Sequence, residues 1–307
     1  MLGLQFNSLF DLTKTFDSEE KCLEYLEELR WGEKGVISPF DPDSKVYKCA
    51  GNKYRCKNTG FYFNVKTNTM FDCTKINLQK WFMAIWLITS HKKGISSHQL
   101  AKDIDITQKS AWFMLQRIRN CFDIENNHTL DNEVEADETY VGGAEKNKHA
   151  DKKTKGTQGR SCKTKTPVFG MVEREGKLVA KKVETTGSEH LTPEIIKTVK
   201  KTATLFTDEW LAYNNINKLY NHFVIKHNEK QYVNGDIYTN TIEGFWSLFK
   251  RGIIGIYHLV SKKHLQKYVD EFVFRYNTRT FATETARLDY FLKSVSNKYL
   301  PYKTLIA

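Results

Sequence analysis

The sequence predicts an α/β protein in which a small β-module and a helix-turn-helix lead into a larger sheet flanked by helices. Three observations carry that expectation. Residues 36–73 are β-prone and rich in turn residues, and residues 76–121 hold two short capped helices joined by a turn. From Glu133 onward, strand-like and helical stretches alternate. At 307 residues, 40% hydrophobic and 13% aromatic, the chain can bury real cores in one large domain or two to three small ones. The expected division is 1–75 for an N-terminal helix and ribbon-like module, 76–125 for the helix-turn-helix, 130–285 for the larger domain and 286–307 for a C-terminal tail.

Ser18 can cap a helix running to Arg30, because Glu19 and Glu20 fill its first turn and Cys22, Leu23, Leu26 and Leu29 recur at helical spacing. The stretch V-Y-K-C-A-G-N-K-Y-R-C-K-N-T-G-F-Y-F then reads as two or three small strands. Cys49 and Cys56 stand where a zinc ribbon could place ligands, but no C-x-x-C occurs in the chain, so a metal-free β-module is the stronger reading. Leu78 to Thr89 is an apolar helix carrying Trp81 and Trp86. Ser96 or Ser97 caps a short helix through Lys102, Asp103 to Ile106 turns, and Thr107 caps a second helix to about Asn120. In a helix-turn-helix the N-terminal residues of the second helix face the bases. Gln108, Lys109 and Ser110 are therefore the candidate base readers, and Arg117 and Arg119 the candidate phosphate contacts. The bland alternative is an ordinary helical hairpin.

Glu133 to Gly143, read E-V-E-A-D-E-T-Y-V-G-G, alternates like a strand. Glu135, Asp137 and Thr139 point one way and Val134, Ala136, Glu138 and Tyr140 the other. A carboxylate in mid-strand is a poor strand former and costly to bury unpaired, which makes a cation-binding role the sharper reading and an edge strand the blander one. Residues 145–166 hold eight Lys/Arg against Glu145 and Asp151 and read as a solvated loop, with phosphate contact as an added role. Pro167 to Glu173 and Leu178 to Thr185 form a hairpin turning at Glu175-Gly176, followed by a helix over His190 to Lys201. Ala203 to Thr207 is a short strand ending at Asp208, and Phe223 to Lys226 another. Asn240 begins a helix, and Lys263 to Arg279 makes an amphipathic one.

Net charge is +11, with pI ≈ 9.2, which favours a polyanionic partner, nucleic acid ahead of a membrane surface. No apolar run is long enough to span a bilayer, and the N-terminus lacks the basic start and cleavage site of a signal peptide. A cytoplasmic protein is the expectation. Six scattered cysteines fit reduced thiols better than a disulfide framework.

Three acids sit at chemically telling places. Asp137 lies within a strand, Asp208 at the carboxyl end of another, where α/β folds place ligands, and Glu243 one turn into a helix. Such carboxylates converge only around cations, since their mutual repulsion would otherwise raise their pKa values. With two divalent cations they become a clamp for in-line phosphodiester displacement, and magnesium (or manganese) suits hard oxygen ligands. Each acid also has a bland reading. Asp208 can end a strand or cap residues 209–213, and Glu243 can close a capping box with Asn240. Lys250 and Arg251, about two helical turns beyond Glu243, share its face and are candidate contacts to a DNA backbone, as are Lys262 and Lys263.

The motifs V-E-A-D-E-T-Y-V-G-G, K-T-P-V-F-G-M-V-E-R, L-F-T-D-E-W-L-A-Y and N-T-I-E-G-F-W-S-L-F-K-R-G-I-I-G-I-Y-H give the chain a family likeness. It resembles the DDE transposases of bacterial insertion sequences, in the group with a ribbon-like module and helix-turn-helix before the catalytic domain. The likeness runs from about Trp31 to Arg279 and takes in K-K-G-I-S-S-H-Q-L-A-K and E-F-V-F-R-Y-N-T-R. It implies a ribonuclease-H-like mixed sheet flanked by helices, with catalytic, metal-binding acids at Asp137, Asp208 and Glu243. Asn240 falls on the asparagine that opens the third motif. It also implies double-stranded DNA as partner, at terminal inverted repeats and target, and a homo-oligomer on DNA. The module departs from the family pattern of two C-x-x-C pairs. S-P-F-D stands at Ser38 to Asp41 and C-K-N-T at Cys56 to Thr59, so one cysteine remains of four, which argues against zinc. A transposase that cuts element ends and joins the 3′ ends to target DNA is the leading expectation. A structure-specific metal-dependent nuclease and a non-enzymatic repressor are the alternatives.

Overall fold

A computed structural model describes residues 4–143, 149–155, 157, 161–225 and 239–307. The chain forms two compact units, Met1–Cys121 with Thr280–Ala307, and Phe122–Arg279.

In the first unit, helices α1 (Leu9–Thr15) and α2 (Glu19–Arg30) open the chain, and the Ser18 hydroxyl caps α2 by accepting from the Lys21 backbone N–H. Three short strands follow, β1 (Val46–Cys49), β2 (Lys53–Cys56) and β3 (Tyr62–Phe63), paired antiparallel in that order. Helix α3 (Leu78–Ser90) is buried on most sides, and Phe82 packs edge-on against Phe16 at 4.9 Å between ring centroids. Then come α4 (Ser97–Asp103), capped by Ser96, and α5 (Gln108–Arg119), capped by Thr107. These are the two helices and the turn expected of a helix-turn-helix.

The second unit is built on β4 (Glu133–Val141), β5 (Thr166–Glu173), β6 (Leu178–Lys182), α6 (Ser188–Thr198), β7 (Thr204–Asp208), β8 (Asn221–Ile225), α7 (Asn240–Gly252) and α8 (Leu265–Asn277). The sheet runs β6-β5-β4-β7-β8, with β4, β5 and β6 antiparallel and β4, β7 and β8 parallel. That mixed, helix-flanked sheet is the ribonuclease-H-like arrangement. Two cores sandwich it. Val134, Ala136, Phe169 and Leu205 pack towards α6, and Val168, Val172, Ile242, Trp246 and Val269 pack towards α7 and α8. The β5–β6 hairpin turns at Glu175, whose φ of 58° is tolerated at the tip of a tight turn.

The last helices, α9 (Glu284–Lys293) and α10 (Tyr302–Ile306), return to the first unit. Residues 286–307 are therefore not a loose tail. The Thr285 hydroxyl donates to the Phe6 carbonyl at 2.9 Å and accepts from the Phe6 N–H at 2.9 Å, and the Tyr25 hydroxyl donates to Asp289. Other differences from the sequence expectation are local. The helix expected over 190–201 starts at Ser188 and ends at Thr198, and residues 209–213 give a single tight turn, Leu211–Tyr213. Residues 145–148, 156 and 158–160 of the basic run lie outside the described residues, as does Lys226 of the expected strand over 223–226.

Candidate active site

Strand register fixes where the acids fall. Glu135 of β4 pairs with Phe206 of β7 across a parallel ladder. Asp137 and Asp208 each lie two residues further along, so alternation returns both to the same sheet face as Glu135 and Phe206. That is the face covered by α7. Ile242 and Trp246 of α7 lie against Gly170, the residue paired with Asp137 on β5. A Cβ on Gly170 would meet Trp246 at 2.5 Å, so only glycine lets α7 come this close beside Asp137. Glu243 follows Ile242 and is exposed.

Electrostatics tie the acids together. Burial first, and then the charges of Glu138, Asp208 and Glu243, push the Asp137 carboxyl up to about 7. Glu138 points to the other face, where it accepts from the Tyr213 hydroxyl at 3.0 Å. Asp208 accepts from the Trp210 backbone N–H at 3.0 Å, the capping contact foreseen as its bland role. Glu243 accepts from the Thr239 hydroxyl at 3.1 Å, and Thr239, not Asn240, is the N-cap of α7. Asn240 is instead the first residue of the helix and is exposed. Among the described residues, no three His, Cys, Asp or Glu side chains stand close enough to hold a metal ion. The donor chemistry, carboxylates from three separate elements whose charges act on one another, nonetheless suits a hard divalent cation.

Reasoning from sequence missed Glu135, Arg174 and Gly170. Glu135 is fully buried, and its carboxylate is bound by Thr241 and Ile242 of α7 and by Arg174. A signal was present, since Glu135 shares the face of Asp137 in the alternation, but nothing in the sequence says what satisfies it.

The candidate DNA contacts divide. Gln108 and Lys109 are exposed at the start of α5, and Ser110 there is half-buried. Lys250, Arg251, Lys262 and Lys263 are exposed as well. Arg117 and Arg119 are not available to phosphates, being 4% and 1% exposed. Arg117 donates to the Leu300 carbonyl at 3.1 Å and the Asp72 carbonyl at 2.9 Å, and its guanidinium lies over the Phe113 and Tyr299 rings. The last turn of α5 faces inward, so both arginines serve the core.

In the β-module, Cys56 is fully buried, and the hydroxyls of Ser38, Ser44 and Thr59 hydrogen-bond its thiol. Burial pushes the thiol up, but these bonds outweigh it and bring the thiol to about 6. One sulfur among hydroxyls does not fit zinc, which needs thiolate, imidazole or carboxylate in a tetrahedral set.

A family model described as ISXO2-like transposase domain matches residues 129–277. A Halobacterium salinarum protein described as "Uncharacterized protein in transposable element ISH50" is 29% identical over 285 residues, covering 85% of this chain and 92% of that one. Among solved structures, a pre-cleavage Mos1 transpososome is 13% identical over 96% of this chain and 97% of that one, with a TM-score of 0.24. A Mos1 paired-end complex with left transposon end is 11% identical, covering 94% of this chain and 97% of that one, with a TM-score of 0.26. Likenesses of that size carry no argument.

Proposed function

We propose, on the match of residues 129–277 to the ISXO2-like transposase domain, that the chain is an insertion-sequence transposase of the DDE type that cuts the ends of its own element and joins the freed 3′ ends to target DNA. The register of β4 and β7 supports this most. It sets Asp137 and Asp208 on neighbouring parallel strands at equal distance beyond a paired position, under the helix that carries Glu243.

In this reading Asp137, Asp208 and Glu243 are the ligands of two magnesium or manganese ions. Glu243 completes the set by a side-chain rotation from Thr239, which its exposed position permits. Bound there, the cations would activate a water or a 3′-hydroxyl and neutralise the leaving oxygen. The protein's own part is to hold the phosphodiester in line. Lys250 and Arg251, exposed on α7 beyond Glu243, grip the backbone next to the acids, with Lys262 and Lys263 extending that grip. Gln108, Lys109 and Ser110 read the terminal repeat, and their place at the N-terminus of α5 is where a recognition helix meets the bases. Two ends brought to one target call for two copies of the chain on DNA.

The test uses purified protein, a DNA fragment carrying the sequence that flanks the gene, and a supercoiled target plasmid. Magnesium-dependent cleavage leaving a 3′-hydroxyl, followed by end-to-plasmid joined products, is the expected outcome. Cleavage without joining reduces the activity to that of a nuclease. Specific binding without cleavage in either magnesium or manganese leaves only a repressor.

A further inference from the structure

A carboxylate in the middle of a buried sheet face is costly unless every lone pair is used. Glu135 meets that condition. One of its oxygens accepts from the backbone N–H groups of Thr241 at 2.9 Å and Ile242 at 3.0 Å. The other accepts from the Thr241 hydroxyl at 3.0 Å and from Arg174 Nε at 3.0 Å. Arg174 also donates to Glu133 at 2.7 Å, and its guanidinium lies 4.2 Å from the centre of the Phe206 ring. The anion thus sits at the positive end of α7, and the cation spans β4 and β7.

The cluster touches each element that carries a candidate catalytic acid, at the same offset. Glu135 stands two residues before Asp137, Phe206 two before Asp208, and Thr241 two before Glu243. The α7 helix is anchored independently by Ile242, Trp246 and Phe249 in the core. Its attachment to the sheet therefore does not depend on Glu135, but the placement of its first turn does.

We propose that Glu135 and Arg174 form a positioning pair that sets the mutual placement of Asp137, Asp208 and Glu243, and so governs metal affinity and cleavage rate without taking part in DNA binding. The inference rests on the transposase reading for its catalytic consequence. Neither residue reaches the reacting atoms. Active groups need to be held within about 0.5 Å, and a helix start released from the sheet exceeds that.

Glu135→Gln tests it. The amide sets a donor against the donors of Thr241, Ile242 or Arg174, at nearly unchanged volume. Three readouts are taken beside wild type: hydrogen exchange of the metal-free protein, manganese binding, and nicking of end DNA over a range of manganese concentrations. The expected result is exchange at least about 10-fold faster in the first turn of α7, with β4 and β5 unchanged. Manganese affinity and nicking should fall about 10–100-fold, the usual cost of losing a partner that orients metal ligands, while affinity for end DNA holds within about two-fold. Unchanged α7 exchange with wild-type manganese dependence overturns the proposal. So does a loss of nicking that tracks a lowered melting temperature and weakened DNA binding together, because that is a folding role. Should wild type itself fail to nick, the transposase reading falls, and the exchange and manganese-binding arms alone decide on the pair. If Glu135→Gln does not fold, Arg174→Lys, which keeps the cation and loses the fork, is judged by the same readouts.

Discussion

Asp137 shows most directly what the site costs the protein. Its carboxyl is raised from the ordinary aspartate range to about 7 by burial and by the charges of Glu138, Asp208 and Glu243. Between pH 4 and 7 the folded state therefore holds a proton that the unfolded chain has lost. Without metal, this group's contribution to stability is complete below pH 4 and is lost as pH rises through 7. The most it can remove is about 4 kcal/mol. Asp137→Asn should thus raise the melting temperature of metal-free protein at pH 8 and leave it nearly unchanged at pH 4. Thermal melts at both pH values in chelator measure this, and an Asn variant that melts below wild type at pH 8 contradicts it. The place of Glu243 one turn into a helix, the strand position of Asp137 and the strand-end position of Asp208 were all legible from alternation and capping patterns. The buried state of Glu135 was not, because its partners Arg174, Thr241 and Ile242 lie 39 to 107 residues away.

At the level of elements, the helix-turn-helix was legible because its signals are local. Ser96 and Thr107 cap α4 and α5 within three residues of themselves. What α5 packs against was not legible, since Arg117 finds the Leu300 carbonyl 183 residues on. Two substitutions on this one helix should accordingly behave in opposite ways. Lys109→Ala should leave the melting temperature alone and weaken binding to end DNA by about 1–3 kcal/mol while binding to unrelated DNA changes little, the loss of one base contact. Arg117→Ala should take the donor from the buried Leu300 carbonyl and the half-buried Asp72 carbonyl and cost about 3 kcal/mol in denaturant unfolding. A destabilised Lys109 variant, or an Arg117 variant of full stability and weakened DNA binding, would reverse the assignment. The β-module was legible as strands and as a departure from the four-cysteine pattern. The hydroxyl cluster that Ser38, Ser44 and Thr59 build around Cys56 needed the fold. Untagged protein should carry no stoichiometric zinc by atomic absorption, and one zinc per chain would refute that.

For the whole molecule, strand order was the part the sequence could not supply. Alternation located β4 to β8, but only long-range pairing sets β7 parallel to β4 and aligns Asp208 with Asp137. The same limit applied to residues 286–307, whose Asp289 has no visible partner until Tyr25 is brought to it. In the proposed reaction three acids from three elements act as one metal-dependent site. The most direct measurement is magnesium-dependent nicking of end DNA by wild type, Asp137→Asn, Asp208→Asn and Glu243→Gln, each with a thermal melt and an end-binding curve. Each variant should lose at least about 10³-fold in nicking rate, on the order of 4 kcal/mol of transition-state stabilisation, while melting no lower than wild type and binding DNA as it does. A variant of any of the three that melts normally, binds normally and still nicks at the wild-type rate contradicts the account.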